Sequence, residues 1–117
     1  VKPYAMDFYL PDHELAIDFK YKALNKDYNS FSLTFEHFTK YMNYVNNDPS
    51  ISRAMLWYKD STTENEYKLD LSVLQDLIYK QQVKIHYGGH NRTRGTSGCF
   101  FSIHVDFFEP FAIDNLS

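Results

Sequence analysis

Asp7-Phe8-Tyr9-Leu10-Pro11-Asp12-His13-Glu14-Leu15-Ala16-Ile17-Asp18-Phe19-Lys20 is the stretch that decides how this chain is read. On either side of Pro11-Asp12-His13 the residues alternate as in two half-buried strands, and the three between them suit a turn. Successive strand side chains point to opposite faces, so Leu15, Ile17, Phe19 and Tyr21 share one face and Ala16, Asp18, Lys20 and Lys22 the other. The same alternation sends Met6, Phe8 and Leu10 to the core and leaves Ala5, Asp7 and Tyr9 opposite. Pairing Leu10 with Leu15 across a four-residue loop sets Asp7 opposite Asp18, with Lys20 two residues further along the same face. Facing carboxylates repel. A divalent cation between them converts repulsion into coordination, because hard cations prefer carboxylate oxygens. A lysine beside such an ion can orient an attacking water or stabilise charge on a phosphate.

Asp7 followed by Asp18-Phe19-Lys20 resembles the signature of the PD-(D/E)xK nuclease superfamily, which includes restriction enzymes and recombination exonucleases. The likeness extends to the hydrophobic pattern of the hairpin, with Ala5-Met6 where a proline is usual before the first acid. It implies a restriction-endonuclease-like core and a metal-dependent endonuclease or exonuclease that hydrolyses phosphodiester bonds in DNA. It further implies Mg²⁺ or Mn²⁺ held by Asp7, Asp18 and the backbone carbonyl of Phe19, with Lys20 assisting the attacking water. In the exonuclease branch the next helix carries a Gln, a hydrophobic residue, two spacers and a Tyr. His37-Phe38-Thr39-Lys40-Tyr41 is similar, with His in place of Gln, and Glu36 or His37 would complete the site. One helical turn separates His37 from Tyr41, so both can face one cleft. Members often have a helix before the hairpin that supplies a further acid; the expectation here is a core lacking it. A start at Val1 leaves open a fragment of a longer protein, a processed product or an alternative start codon. The competing reading of the hairpin is a charged surface element without chemistry.

Beyond Lys22 a polar turn, 25–30, leads into a helical pattern in which Phe31, Phe35, Phe38, Met42 and Val45 form one stripe. Ser30 or Ser32 is available as N-cap, and Glu36, His37, Lys40 and Tyr41 fall on the opposite face. Asn46-Asn47-Asp48-Pro49 ends the helix. Residues 53–58 read as an apolar central strand, 59–68 as a surface loop, and Leu71, Leu74, Leu77 and Ile78 as one face of a second helix capped by Asp70 or Ser72. Residues 83–87 and 99–108 predict a final hairpin, stopped by Glu109-Pro110 and followed by a loose tail over 109–117. His86 and His104 are expected to meet across that hairpin as satisfied sheet residues. The order hairpin, helix, strand, helix, hairpin predicts a mixed α/β fold with a central mixed sheet flanked by helices.

A chain of 117 residues is expected to form one domain with a single core. No signal-peptide pattern or membrane-length apolar run stands out, and the lone Cys99 excludes an internal disulfide and suits a cytoplasmic compartment. The net charge of −3 argues against broad, charge-driven nucleic-acid binding, but a metal site itself concentrates acids. Within the Gly88–Gly98 loop, His90, Arg92 and Arg94 offer donors to a phosphate backbone without a single acid among them. The partner expected is therefore nucleic acid, DNA by preference; a homodimer or larger assembly stays open. A non-catalytic interaction module on the same scaffold, a subunit or an inhibitor, is the alternative. A structural nucleic-acid binder without chemistry is a third. Phosphate loops of the Gly-rich Lys-Ser/Thr type and serine nucleophile elbows are absent from the sequence.

Overall fold

The computed structural model describes residues 6–87, 98–112 and 114. Strand β1 (Phe8–Leu10) runs through a 3₁₀ turn at Pro11–His13 into β2 (Leu15–Lys22). Then come β3 (Ser30–Thr34), α1 (Phe35–Asn47), β4 (Arg53–Asp60), β5 (Glu66–Asp70) and α2 (Leu71–Tyr79). The chain closes with β6 (Lys84–His86), β7 (Phe100–His104) and the short β8 (Glu109–Pro110). Five strands form a mixed sheet in the order β1-β2-β4-β5-β8, in which only β2 and β4 are parallel, and β3-β7-β6 form a second, antiparallel sheet. The fold is the mixed α/β arrangement expected, and β6 pairs with β7 as the final hairpin predicts.

The hairpin register is the predicted one: Leu10 pairs with Leu15 and Phe8 with Ile17. The faces are not. The chain bends at Met6-Asp7, so Met6 is buried in the main core while Phe8 lies 47% exposed. The larger core lies on the Ala16 face of the main sheet, where Ala54, Leu56, Tyr58 and Leu69 meet both helices and Phe31, Leu33, Phe101 and Ile103 of the small sheet. Leu15, Ile17 and Met55 form a smaller cluster on the other face. Asp18 is therefore only 6% exposed, because its face is the inner one.

Four elements depart from the sequence reading; one is the last predicted strand, 99–108, which ends at His104 and turns through a 3₁₀ helix at Val105–Phe107. Residues 30–34 form β3, so Phe31 belongs to the small sheet and not to the helical stripe; Phe31 and Leu33 on one face, Ser30 and Ser32 on the other, follow the strand period. The stretch 59–68 read as a loop is entered by β4 as far as Asp60 and overlapped at its end by β5, Glu66–Asp70, with Tyr67 and Leu69 turned to the core. Glu109-Pro110 pair with Lys68 and Tyr67 at the sheet edge, and Phe111 packs edge-on to Trp57, so this stretch is not a loose tail. Proline suits an edge strand because it lacks the N–H a central strand needs.

Thr34 ends β3 and also caps α1, its hydroxyl accepting from the His37 N–H at 3.1 Å, so the cap is neither Ser30 nor Ser32. We expect Thr34→Ala to cost about 1 kcal/mol and Thr34→Ser much less, read as the shift in a urea midpoint. At the end of β4, the buried Asp60 carboxylate accepts from the N–H groups of Leu24 and Thr62 and from the Thr63 hydroxyl. These contacts anchor the chain where it leaves the sheet. Among the described residues no helix is long and apolar enough to cross a membrane.

Candidate functional site

Asp18 and Lys20 lie on the inner face of β2, and α1 packs over them with Phe38, Tyr41, Met42, Tyr44 and Val45 turned inward. Tyr41 is thus a buried residue, not one of the outer-face residues that the apolar stripe had suggested. Its hydroxyl donates to Asp18 Oδ2 at 2.6 Å and accepts from Lys20 Nζ at 3.2 Å. Lys20 Nζ also lies 3.1 Å from Asp18 Oδ2, which closes a triangle of acid, base and phenol. Burial raises the Tyr41 pKa above its ordinary value, and the hydrogen bond to Asp18 and the Asp18 charge raise it further. The phenol stays protonated and acts as a donor.

Asp7 lies one residue beyond the last β1–β2 pair and is exposed. Its Oδ2 accepts from the Phe19 N–H at 2.9 Å, so the side chain extends the hairpin where the β1 backbone stops. Asp7 contributes to the rise in the Tyr41 pKa, which places its charge in the same electrostatic neighbourhood. The contacts of Asp18 with Tyr41 and Lys20 both fall on Oδ2, and that of Asp7 with the Phe19 N–H also uses Oδ2. Carboxylates and backbone carbonyls are hard oxygen donors of the kind a small divalent cation takes. Among the described residues no group of three or more His, Cys, Asp or Glu gathers to hold a metal.

His37 stacks on the Tyr41 ring with centroids 5.8 Å apart and planes within 11°. Its pKa is lowered, by burial first and then by the charge of Lys20, with Asp18 opposing. The ring is therefore neutral at pH 7. Because the folded value lies below that of the unfolded chain, this group's contribution to stability is complete above about pH 6.5 and is lost as the pH falls below that. In an NMR titration His37 should titrate below 6.5, upward-shifted in Lys20→Met and further depressed in Asp18→Asn. Unchanged values in both variants would place His37 outside this cluster. Glu36 is exposed, and it enters only as a charge acting on its neighbour His37; no described contact brings it to Asp18. His90, Arg92 and Arg94 lie outside the described residues.

Two residues to which the sequence reading gave no role stand next to the cluster. Lys22 Nζ reaches Ser32 Oγ at 3.2 Å and Ser32 O at 3.4 Å, and burial followed by the Lys20 charge lowers its pKa. Tyr58, paired with Lys20 across the parallel β2–β4 ladder, donates to Ser32 O at 2.7 Å. Strand alternation had put Lys22 on the right face; only the position of β3 makes it part of this neighbourhood. His86 and His104 do not meet: His86 pairs with Phe100 and His104 with Ser30.

No protein-family model and no curated protein matches the sequence. Among solved structures, a nuclease from a fusselovirus is similar, with a TM-score of 0.55 at 10% sequence identity. The likeness covers 82% of this chain and 51% of that one, so this chain spans about half the length of the structure it resembles. The cluster of Asp18, Lys20 and Tyr41 is therefore carried by a nuclease-like fold.

Proposed function

We propose that this chain is a Mg²⁺- or Mn²⁺-dependent nuclease domain of the PD-(D/E)xK type that hydrolyses phosphodiester bonds in DNA. The convergence of Asp18, Lys20 and Tyr41 beside Asp7, at the end of the hairpin, carries the proposal. Asp7, Asp18 and the Phe19 carbonyl would hold the cation. When bound, the cation supplies positive charge to the scissile phosphate and acidity to a coordinated water.

The remaining work belongs to side chains. An ammonium has three donors, and Lys20 commits two of them to Asp18 and Tyr41. The third is available to a water or to a phosphate oxygen on which charge develops. Tyr41 fixes the orientation of the Asp18 carboxylate by donating to it, and it holds Lys20 by accepting. It is thus a positioning group that works through its two neighbours. His37, neutral and stacked on the phenol, covers the ring.

The test is incubation of the purified protein with single- and double-stranded DNA and with RNA, in Mg²⁺, Mn²⁺ or chelator. Cleavage of DNA that needs the metal and disappears in folded Asp18→Asn protein is the expected result. If neither polymer is cut with either metal, the enzymatic reading fails. A second reading then takes over, that of a non-catalytic protein-interaction module. Its support is the aromatic outer face of β1–β2, where Phe8 and Tyr21 are 47% and 55% exposed. Calorimetry separates the two: Mg²⁺ or Mn²⁺ binding abolished by Asp7→Asn belongs to the enzyme, and no binding to the module.

A further inference from the structure

The small sheet has one apolar face, which packs into the core, and one polar face bearing Ser30, Ser32, Ser102, His86 and Phe100. That polar face is not simply open to solvent. Ser30 and Ser102 are 5% and 7% exposed, and the segment that leaves β2 overhangs them to form a cleft of about 430 Å³. The overhang is a built turn: the Asn25 side chain accepts from the N–H groups of Asp27 and Tyr28, and Asn25 bridges back to Ser30.

The chemistry inside is specific. His86 Nε2 is buried and has no hydrogen-bond partner among the described residues. Such a group is costly to leave unmade, and a ligand that supplies the partner recovers the loss. Ser102 donates to Ser30 Oγ at 2.6 Å, so the Ser30 hydroxyl keeps its own proton to offer. Above this polar floor stands an aromatic wall. His86 stacks on Phe100 with centroids 4.8 Å apart and planes within 8°, and Tyr28, 48% exposed, tilts toward His86 at 5.7 Å. Lys84 Nζ sits 4.8 Å from the Tyr28 ring centre, and none of the described residues lining the cleft is acidic.

The cleft also stands in line with the acid site. Lys22 follows Lys20 on the same face of β2, about 6.6 Å along at the usual rise of a strand. Its ammonium contacts Ser32, which lines the cleft. A polymer whose phosphate lies at Asp18 and Lys20 would meet a second cation at Lys22 and then this aromatic, hydrogen-bonding cleft.

We propose that the cleft is a subsite for one unstacked nucleobase of the nucleic-acid strand held at the acid site. The base stacks against the aromatic wall and pairs its polar edge with His86 Nε2 and the Ser30 hydroxyl, the two modes by which proteins hold splayed-out bases. Only the choice of ligand rests on the nuclease reading; the cleft and its unpaired nitrogen do not.

Two measurements test it. In the first, deoxynucleoside monophosphates are titrated into ¹⁵N-labelled protein, and the His86 ring nitrogens should shift with saturation. In the second, short single-stranded DNA binds Asp18→Asn protein, and a single abasic position is walked along the strand. At one position the abasic strand should bind about tenfold more weakly. Tyr28→Ala, an exposed change that leaves the core intact, should weaken the unmodified strand by a similar factor and add nothing to the abasic loss. A DNA-cleaving wild-type protein whose His86 does not shift, and whose abasic scan is flat, overturns the subsite and leaves the nuclease reading standing. His86 shifts in a protein that cuts nothing support the cleft and sink the nuclease reading alone.

Discussion

Under the proposed nuclease activity, replacing Lys20 by Met should lower the turnover of metal-dependent DNA cleavage by about 10²–10³-fold, the usual loss when one preorganised donor to developing charge is removed. Methionine keeps most of the alkyl stem and deletes the ammonium that lies 3.1 Å from Asp18 and 3.2 Å from Tyr41. The lysine side chain is only 14% exposed and its partner carboxylate 8%, so the deletion also leaves a largely buried charge with one donor fewer. Breaking a buried pair on one side typically costs about 3–5 kcal/mol. Solvent still reaches this pair, so the lower end applies. Circular dichroism and a urea midpoint will show whether the variant is folded at the assay temperature. Lys20→Arg restores the charge but spreads it over a planar fork that does not match a site built around a point charge. It should recover part of the loss. If Lys20→Met cuts at the wild-type rate while folded, Lys20 is a structural partner of Asp18 and takes no part in chemistry.

The largest stability effect should come from Tyr58. It is fully buried between the two sheets, with its ring 4.7 Å from Phe31 and 5.4 Å from Phe108, and its hydroxyl donates to Ser32 O at 2.7 Å. Tyr58→Ala should cost about 3–5 kcal/mol, the range for emptying a buried aromatic position. That is a large share of the roughly 5–15 kcal/mol available to a domain, and partial unfolding at ambient temperature is expected. Tyr58→Phe keeps the packing and removes one hydrogen bond. Ser32 O retains Lys22 as a donor, so the Phe variant should lose only about 1 kcal/mol. Denaturant midpoints decide the matter: near-equal losses for the two variants would mean that packing at Tyr58 does not join the sheets.

The sequence was most readable where one period applied without competition. Alternation around Pro11–His13, together with the short four-residue loop, set the hairpin register correctly, because a one-residue slip would flip the apolar set and a longer shift would lengthen the loop. It failed to say which face was inner. Both faces of β2 are covered, and the bend at Met6-Asp7 makes Met6 and Phe8 part company. Phe31 misled because it stands four residues before Phe35, a helical spacing, and also two before Leu33, a strand spacing; the small sheet decided between them. Strand β5 escaped notice because Glu66, Lys68 and Asp70 dilute the signal of Tyr67 and Leu69. Of the residues singled out for the site, Asp18, Lys20 and Tyr41 are joined by direct contacts, Asp7 and His37 are near neighbours, and Glu36 stands apart. Tyr41 could be named from spacing, but its burial and its bond to Asp18 depend on how α1 packs, which no local pattern encodes.

Strand β2 sits inside its sheet, whereas the helix that carries Tyr41 continues directly from β3 of the small sheet and stacks Phe35 and Phe38 on Phe101 of β7. The carboxylate and the phenol of the cluster thus come from different parts of the fold, one from β2 and the other from the helix that follows β3. A substitution at the seam between the two sheets should therefore alter the Tyr41–Asp18 hydrogen bond even where no residue of the cluster is touched.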